Sequence, residues 1–386
     1  MGERFIERRL RAMETTDHAR LIATASKMEG VLKLSGGDPD FDTPRHIKAA
    51  AIEALKEGWT HYPPNYGLPE LKQAIAEYHG KYGVDWRPSE VTVTGGSNMA
   101  LFKALTATLD SGDEVILIEP YYMNYSVLLD YAGAKRVPVP LVEDEGYRLD
   151  AEALKGAVNS RTKMIVLCNP NNPTGTVYSE AELEALANAA VDHDLLVVTD
   201  ECYNELIWDG GKHHSISALP GMKGRTIVCL SFSKTFSMTG WRLGCVIADE
   251  PITAHLRRQP LGARVITFVQ KAGIAALEGP WEPVREMHRE LDRRRRFLVP
   301  RLNEIEGFRC HMPEGSIFTF PSIEGTGTRS VEFAESLLKE KKILVRPGIA
   351  FGETGEYHLR IPLIRPIEVL IEVTEAIEDH IESLGR

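Results

Sequence analysis

Short β-rich runs recur between residues 91 and 248, separated by stretches whose apolar residues fall at helical spacing. The runs are VTVT (91–94), EVILIE (114–119), RVPV (136–139), MIVL (164–167), LLVVTD (195–200), TIVCL (226–230) and LGCVIA (243–248). Several are apolar throughout instead of alternating, as strands covered on both faces are. MALFKALTATL follows the first run, and the stretch 180–193 sets Leu183, Leu186, Ala187 and Ala190 on one helical face. Strand, crossover helix, strand predicts an α/β fold with a mainly parallel, seven-stranded sheet between helices. After Pro251 the texture changes to a long helix over 283–305, two or three strands, a helix near 331–341 and a last one near 367–384. The expected organisation is a large domain over 44–287 and a smaller α+β domain over 288–386, against which the N-terminal segment 1–43 packs. That segment has no sheet of its own in this reading.

The polar residues that interrupt the runs fall at strand carboxyl ends, where open α/β sheets bind ligands. GGSN (95–98) follows the first strand and opens a helix, and EPYYMNY (119–125) follows the second. CNPNNPTG (168–175), TDECY (199–203) and SFSK (231–234) close three others. Together they present an anion cradle, aromatics, an amide, a carboxylate and a lysine on one surface. Gly96, Ser97 and Asn98 offer backbone N–H groups at a helix start, which suits a phosphate. Taken singly, GGS reads as a flexible turn and Asp200 as a helix cap.

A chain of 386 residues suits two domains, and its formal charge of −10 argues against nucleic-acid or anionic-membrane partners. The five cysteines, Cys168, Cys202, Cys229, Cys245 and Cys310, have no metal-ligand spacing, and an odd number fits a disulfide framework poorly. The N-terminal MGERFIERRLRAMETT lacks the apolar core of a signal peptide, and no run reaches membrane-spanning length. These features predict a cytoplasmic protein. Arg293–Arg296 follow Glu286 and Glu290 at helical spacing and read as a solvated, ion-paired face. His213 and His214 have no acidic or cysteine partner at ligand spacing, so no metal site is expected.

SFSKTFSMTGWRLG (231–244) resembles the lysine motif of the fold-type I, class I/II aminotransferases, which use pyridoxal 5'-phosphate. NPNNPTG (169–175), TDECY and YPPNYGLPEL (62–71) resemble other signatures of that family, and the likeness runs from LSGGDPDF (34–41) to HLRIPL (358–363). The resemblance implies a ping-pong transfer of an amino group from an L-amino acid to a 2-oxo acid. It makes Lys234 the Schiff-base lysine and proton shuttle, and Asp200 the partner of the pyridine nitrogen. Asn172 and Tyr203 would bond the phenolic oxygen, with Asn172 also near the substrate, and Tyr122 would stack on the ring. Tyr121 and Tyr125 are expected to be packing residues. Gly96, Ser97, Asn98, Ser231, Ser233 and Arg242 would hold the phosphate, joined by Tyr62 from the neighbouring subunit of a homodimer. Arg360 would grip the substrate α-carboxylate bidentately, approached by the backbone of Gly37. Arg346 and Arg365 compete for that role, but each precedes a proline and neither is expected inside the strand.

The same residues would serve β-elimination, decarboxylation or oxidation of an amino acid, so these outcomes stay open. A ligand-sensing regulator would need a basic DNA-binding segment ahead of residue 34, where little chain remains, and a nicotinamide dehydrogenase would need a GxGxxG after a strand, which is absent. Substrate choice is expected to lie in residues 8–27 and the loop 59–66, with Trp59, Tyr66 and Tyr121 accommodating aromatic or long aliphatic side chains.

Overall fold

The computed structural model describes residues 5, 6, 10, 16–259 and 264–384. Part of the N-terminal stretch expected to set specificity, 8–9 and 11–15, lies outside these. The central sheet has eight strands, in the order Val91–Thr94, Gly244–Ala248, Thr226–Ser231, Leu196–Asp200, Thr162–Cys168, Glu114–Glu119, Lys135–Val142 and Arg148–Leu149. Five of them run parallel side by side, from Thr226–Ser231 to Lys135–Val142. Gly244–Ala248 is antiparallel to both its neighbours, so Val91–Thr94 points the same way as the parallel set. Glu114–Glu119 and Gly244–Ala248 are buried at every position, as their unbroken apolar runs require.

The eighth strand corrects the expectation of seven. Arg148–Leu149 pairs antiparallel with Leu141 and Val142 only, and two residues carry no readable alternation. Its neighbour holds Pro138 and Pro140 where nothing pairs on the outer side, the place in a sheet that tolerates a missing N–H. The crossover helix Glu180–Asp192 begins with a capping box in which Ser179 and Glu182 satisfy each other's backbone N–H groups.

Beyond the sheet, Glu282–Glu304, Ser330–Lys341 and Ile367–Leu384 are helices, and Phe318–Thr319, Leu359–Pro362 and Arg346–Pro347 form a three-stranded antiparallel sheet. The N-terminal segment does contribute a strand: Leu32–Lys33 pairs parallel with Ile343–Leu344. One buried cluster joins Leu21 and Leu34 with Val115, Phe318, Ile361 and Leu370, so both chain ends share a core with the main sheet.

The arginine run departs from expectation. Arg293 and Arg296 are exposed and ion-paired, but Arg294 and Arg295 are buried. Arg294 donates to both carboxylate oxygens of Asp40 at 2.7 and 3.1 Å and to Glu290 at 3.0 Å, and Arg295 donates to Asp209 and to the Pro313 carbonyl. Four consecutive helical residues face in several directions, so two of them must turn inward. The sequence alone does not reveal the acids that meet them there. All five cysteines are buried and unpaired. No helix among the described residues is long and apolar enough to cross a membrane.

Candidate active site

The strand ends named from the sequence converge on a cavity of about 190 Å³. Its wall includes Gly37, Ser97, Asn98, Tyr122, Asn172, Asp200, Tyr203, Ser231, Ser233, Lys234, Arg242 and Arg360. Gly96 lies just behind it, against Arg242. Tyr62 does not line it: the ring is 84% exposed on the surface, with the Arg264 guanidinium 4.6 Å from its centroid. Met123, Thr239, Cys202 and Phe318 also line the cavity and were not given that place by sequence reasoning, and Arg346, weighed there as a competitor of Arg360, lines it too.

Lys234 sits in the short helix Phe232–Thr235 directly after the Thr226–Ser231 strand, and its Nζ donates to the Gly37 carbonyl. Burial pulls its pKa below the ordinary lysine range. Gly37 must be glycine here, because a Cβ would lie 2.8 Å from the Phe318 ring and 3.5 Å from Nζ of Lys234. Asp200 ends its strand and is followed by a turn, so it caps no helix. Burial pushes its carboxyl up to about 6, although hydrogen bonds from Tyr125 and Cys202 favour the charged form. The Tyr125 hydroxyl donates to Oδ2 at 3.0 Å, which moves Tyr125 from packing to the support of this carboxylate. Aromatic spacing in a sequence tells nothing of what a hydroxyl meets across the sheet.

At the GGSN turn, Gly96 has φ of +92°, and a Cβ there would sit 2.7 Å from Nη2 of Arg242. Arg242 donates to the carbonyls of Thr239 and Gly95, and no carboxylate pairs with it among the described residues. Ser97 begins the helix Ser97–Thr108, so its free N–H groups open on the same wall. Ser231 caps the lysine helix by accepting from the Ser233 N–H at 3.2 Å. The Tyr122 hydroxyl reaches Asn98 at 3.5 Å, and the Tyr203 hydroxyl has no hydrogen-bond partner among the described residues.

Arg360 lies on the strand Leu359–Pro362, donating to Asn172 Oδ1 at 3.0 Å and to the Ser35 carbonyl at 2.8 Å. Its guanidinium stacks 3.9 Å from the Phe318 centroid, and its Nε is buried without a partner. Arg346 sits directly opposite it in the Arg346–Pro347 strand, a placement that the following proline had argued against. The backbone there is extended, which is the conformation a residue before proline prefers. Arg365 does not line the cavity and donates to the carbonyls of Ile364 and Lys33. Trp59 and Tyr66 are occupied elsewhere, Trp59 under the Lys271 ammonium and Tyr66 on the Arg257 carbonyl.

Behind Asp200 lies a network that the sequence did not announce. Glu201 Oε2 accepts from Nε2 of both His79 and His213 at 2.9 Å, and Ser215 donates to Oε1 at 2.7 Å. Trp86 donates to His79 Nδ1, which fixes the proton of that ring on the Nε2 facing Glu201. Burial alone would raise the Glu201 carboxyl, but the two histidines hold it well below the usual range. His213 therefore does have an acidic partner, twelve positions away in sequence and adjacent in space.

This donor set fits a coenzyme that is anionic at one end and carries a basic ring nitrogen. An unpaired arginine beside a Cβ-free turn suits a phosphate, and a buried carboxylate with only neutral donors awaits a cation. The sequence over residues 29–377 matches the family Aminotransferase class I and II. The chain is 43% identical to an aspartate aminotransferase of Pyrococcus abyssi and 41% identical to aromatic-amino-acid aminotransferase 2 of Thermococcus litoralis, each over 96% of both chains. Its fold is similar to the crystal structure of an aromatic aminotransferase from Pyrococcus horikoshii, with a TM-score of 0.91 at 40% identity, over 97% of this chain and 98% of that one. The chain belongs to the class I and II aminotransferases, pyridoxal-phosphate-dependent enzymes of fold type I that pass an amino group between amino acids and 2-oxo acids.

Proposed function

We propose that Lys234 holds pyridoxal phosphate through a Schiff base and carries the substrate proton during transfer from an L-amino acid to a 2-oxo acid. The observation that carries this reading is a single cavity gathering a lysine of lowered pKa, a buried carboxylate without a cation and a buried, under-bonded guanidinium. Asp200 would pair with the ring nitrogen, Asn172 and Tyr203 would reach the phenolic oxygen, and Tyr122 would lie against the ring. Gly96, Ser97, Asn98, Ser231, Ser233 and Arg242 would hold the phosphate. Bound there, the coenzyme supplies an electron sink for the breaking Cα–H bond. Arg360 orients the substrate through its α-carboxylate, and its bonds to Asn172 and Ser35 fix the guanidinium plane beforehand. Nζ of Lys234, whose pKa burial lowers, takes the α-proton and later returns it.

Tyr62 would serve the phosphate of a second copy in a homodimer, since it is exposed and does not line the cavity of its own chain. We divide the chain into a coenzyme-binding unit over 44–287 and a small unit over 288–386, joined by segment 1–43 through the Leu32–Lys33 pairing. The five free thiols suit a cytoplasmic location. Elimination, decarboxylation and oxidation are not favoured by any group in the cavity. The test is a half-reaction: the holoenzyme is mixed with each common L-amino acid in the absence of an oxo acid. Loss of the Schiff-base absorbance with one 2-oxo acid formed per site is expected; release of ammonia or carbon dioxide instead contradicts transfer.

A further inference from the structure

Arg346 and Arg360 face each other across an antiparallel strand pair, so their side chains leave the same face of the sheet. Like charges in that position repel, and both residues are buried, at 8% and 3% exposure. Neither has a carboxylate partner among the described residues. Both donate to the same acceptor, the Ser35 carbonyl: Arg346 through Nε at 2.9 Å and Arg360 through Nη2 at 2.8 Å. Arg346 also donates from Nη1 to the sulfur of Met123, a weak acceptor for a full positive charge. Burial lowers the Arg346 pKa to about 10, and burial followed by the Arg346 charge lowers that of Arg360. A guanidinium stays protonated in proteins, so this stress is a standing demand for anions.

The charges in the cavity can be matched one by one. Under the reading above, the coenzyme phosphate answers Arg242 and the substrate α-carboxylate answers Arg360. Arg346 is left over. Beside it, His18 on the helix Asp17–Ala25 is 4% exposed, with neither ring nitrogen hydrogen-bonded. It lines a hollow with Met123 and Pro347, the two residues that flank the Arg346 side chain in contact and in sequence. Burial first, then the charges of Arg346 and Arg360, drive its pKa down to about 3, so it meets a ligand as a neutral imidazole.

We propose that Arg346 is a specificity-determining residue that binds a second carboxylate, so that the site prefers dicarboxylic amino acids and 2-oxo acids over their monocarboxylic counterparts. This rests on the assignment of Arg360 to the α-carboxylate. A dicarboxylate neutralises both guanidinium groups at once, whereas a monocarboxylate leaves one buried and unpaired. Relatives named for aspartate and for aromatic substrates resemble this chain about equally, so their names do not decide the matter.

The test is calorimetric titration of the holoenzyme with succinate and with butyrate, which need no reaction to bind. Wild type should bind succinate more tightly by roughly 30-fold or more, the effect of one desolvated ion pair. Arg346→Gln should remove that preference, and Arg360→Gln should weaken both ligands. Equal affinities in the wild type, or an equal loss of both ligands in Arg346→Gln, overturn the proposal. If Arg346→Gln does not melt cooperatively, Arg346→Lys is read alone: losing the planar fork must lower the succinate-to-butyrate ratio, and an unchanged ratio overturns the proposal. Because these acids bind without turnover, a failed amino-group transfer would show in the half-reaction while leaving this readout intact.

Discussion

Asp200 is where stability and function pull apart. Its partners, the Tyr125 hydroxyl and the Cys202 N–H, are neutral, so ionisation at neutral pH leaves a buried negative charge with no cation. A carboxyl whose folded pKa rises to about 6 contributes stability that is complete below its unfolded value and fades as pH climbs through 6. In the coenzyme-free protein, Asp200→Asn should therefore be more stable than wild type by about 3 kcal/mol at pH 8, with the gap closing towards pH 4. The same substitution should abolish most transfer activity. Denaturant unfolding of both apo proteins across that range checks it, and equal stability at pH 8 would show that Asp200 is not strained by burial. Tyr125→Phe deletes a donor to the charged form, so the acid limb of kcat/KM should move to higher pH.

Among the elements, the turn between Val91–Thr94 and the helix Ser97–Thr108 is tightly constrained at one of its two glycines. Gly96 combines a positive φ with a Cβ direction blocked by Arg242, whereas nothing lies within 4 Å of a Cβ on Gly95. Gly96→Ala should weaken pyridoxal-phosphate binding about tenfold or more, from a backbone cost of about 1–2 kcal/mol plus displacement of Arg242. Gly95→Ala should change it far less. Spectral titration of the apo proteins compares the two, and matching affinities would remove the steric account. This turn was legible in the sequence, as were the apolar strands around it, because both are written in neighbouring residues. Arg148–Leu149 was not legible because two residues carry no alternation, and the inward turn of Arg294 and Arg295 and the Tyr125 bond were not because each depends on a partner far along the chain. Glu201 shows the limit well: only folding brings His79 and His213 to its one oxygen.

At the level of the whole molecule, both chain ends close over the sheet. Ser35 and Gly37 bring the N-terminal segment to Arg360, Arg346 and Lys234, so the site is complete only when residues distant in sequence meet. If Tyr62 serves a second copy, two defective chains should rescue each other. Lys234→Ala and Tyr62→Ala homodimers should each be impaired, and a mixed population should regain activity through hybrids that hold one intact site. No recovery after subunit exchange would leave each chain with a self-sufficient site. Seven of the eight strands, the lysine motif and the order of the strand-end residues were legible in the sequence, yet the placement of Arg346 directly opposite Arg360 emerged only from register. Every role assigned here depends on the covalent attachment of the coenzyme to one side chain. Borohydride reduction of the holoenzyme followed by peptide mapping measures it directly. The coenzyme mass is expected on the peptide containing Lys234; a label on another lysine, or on none, contradicts that attachment.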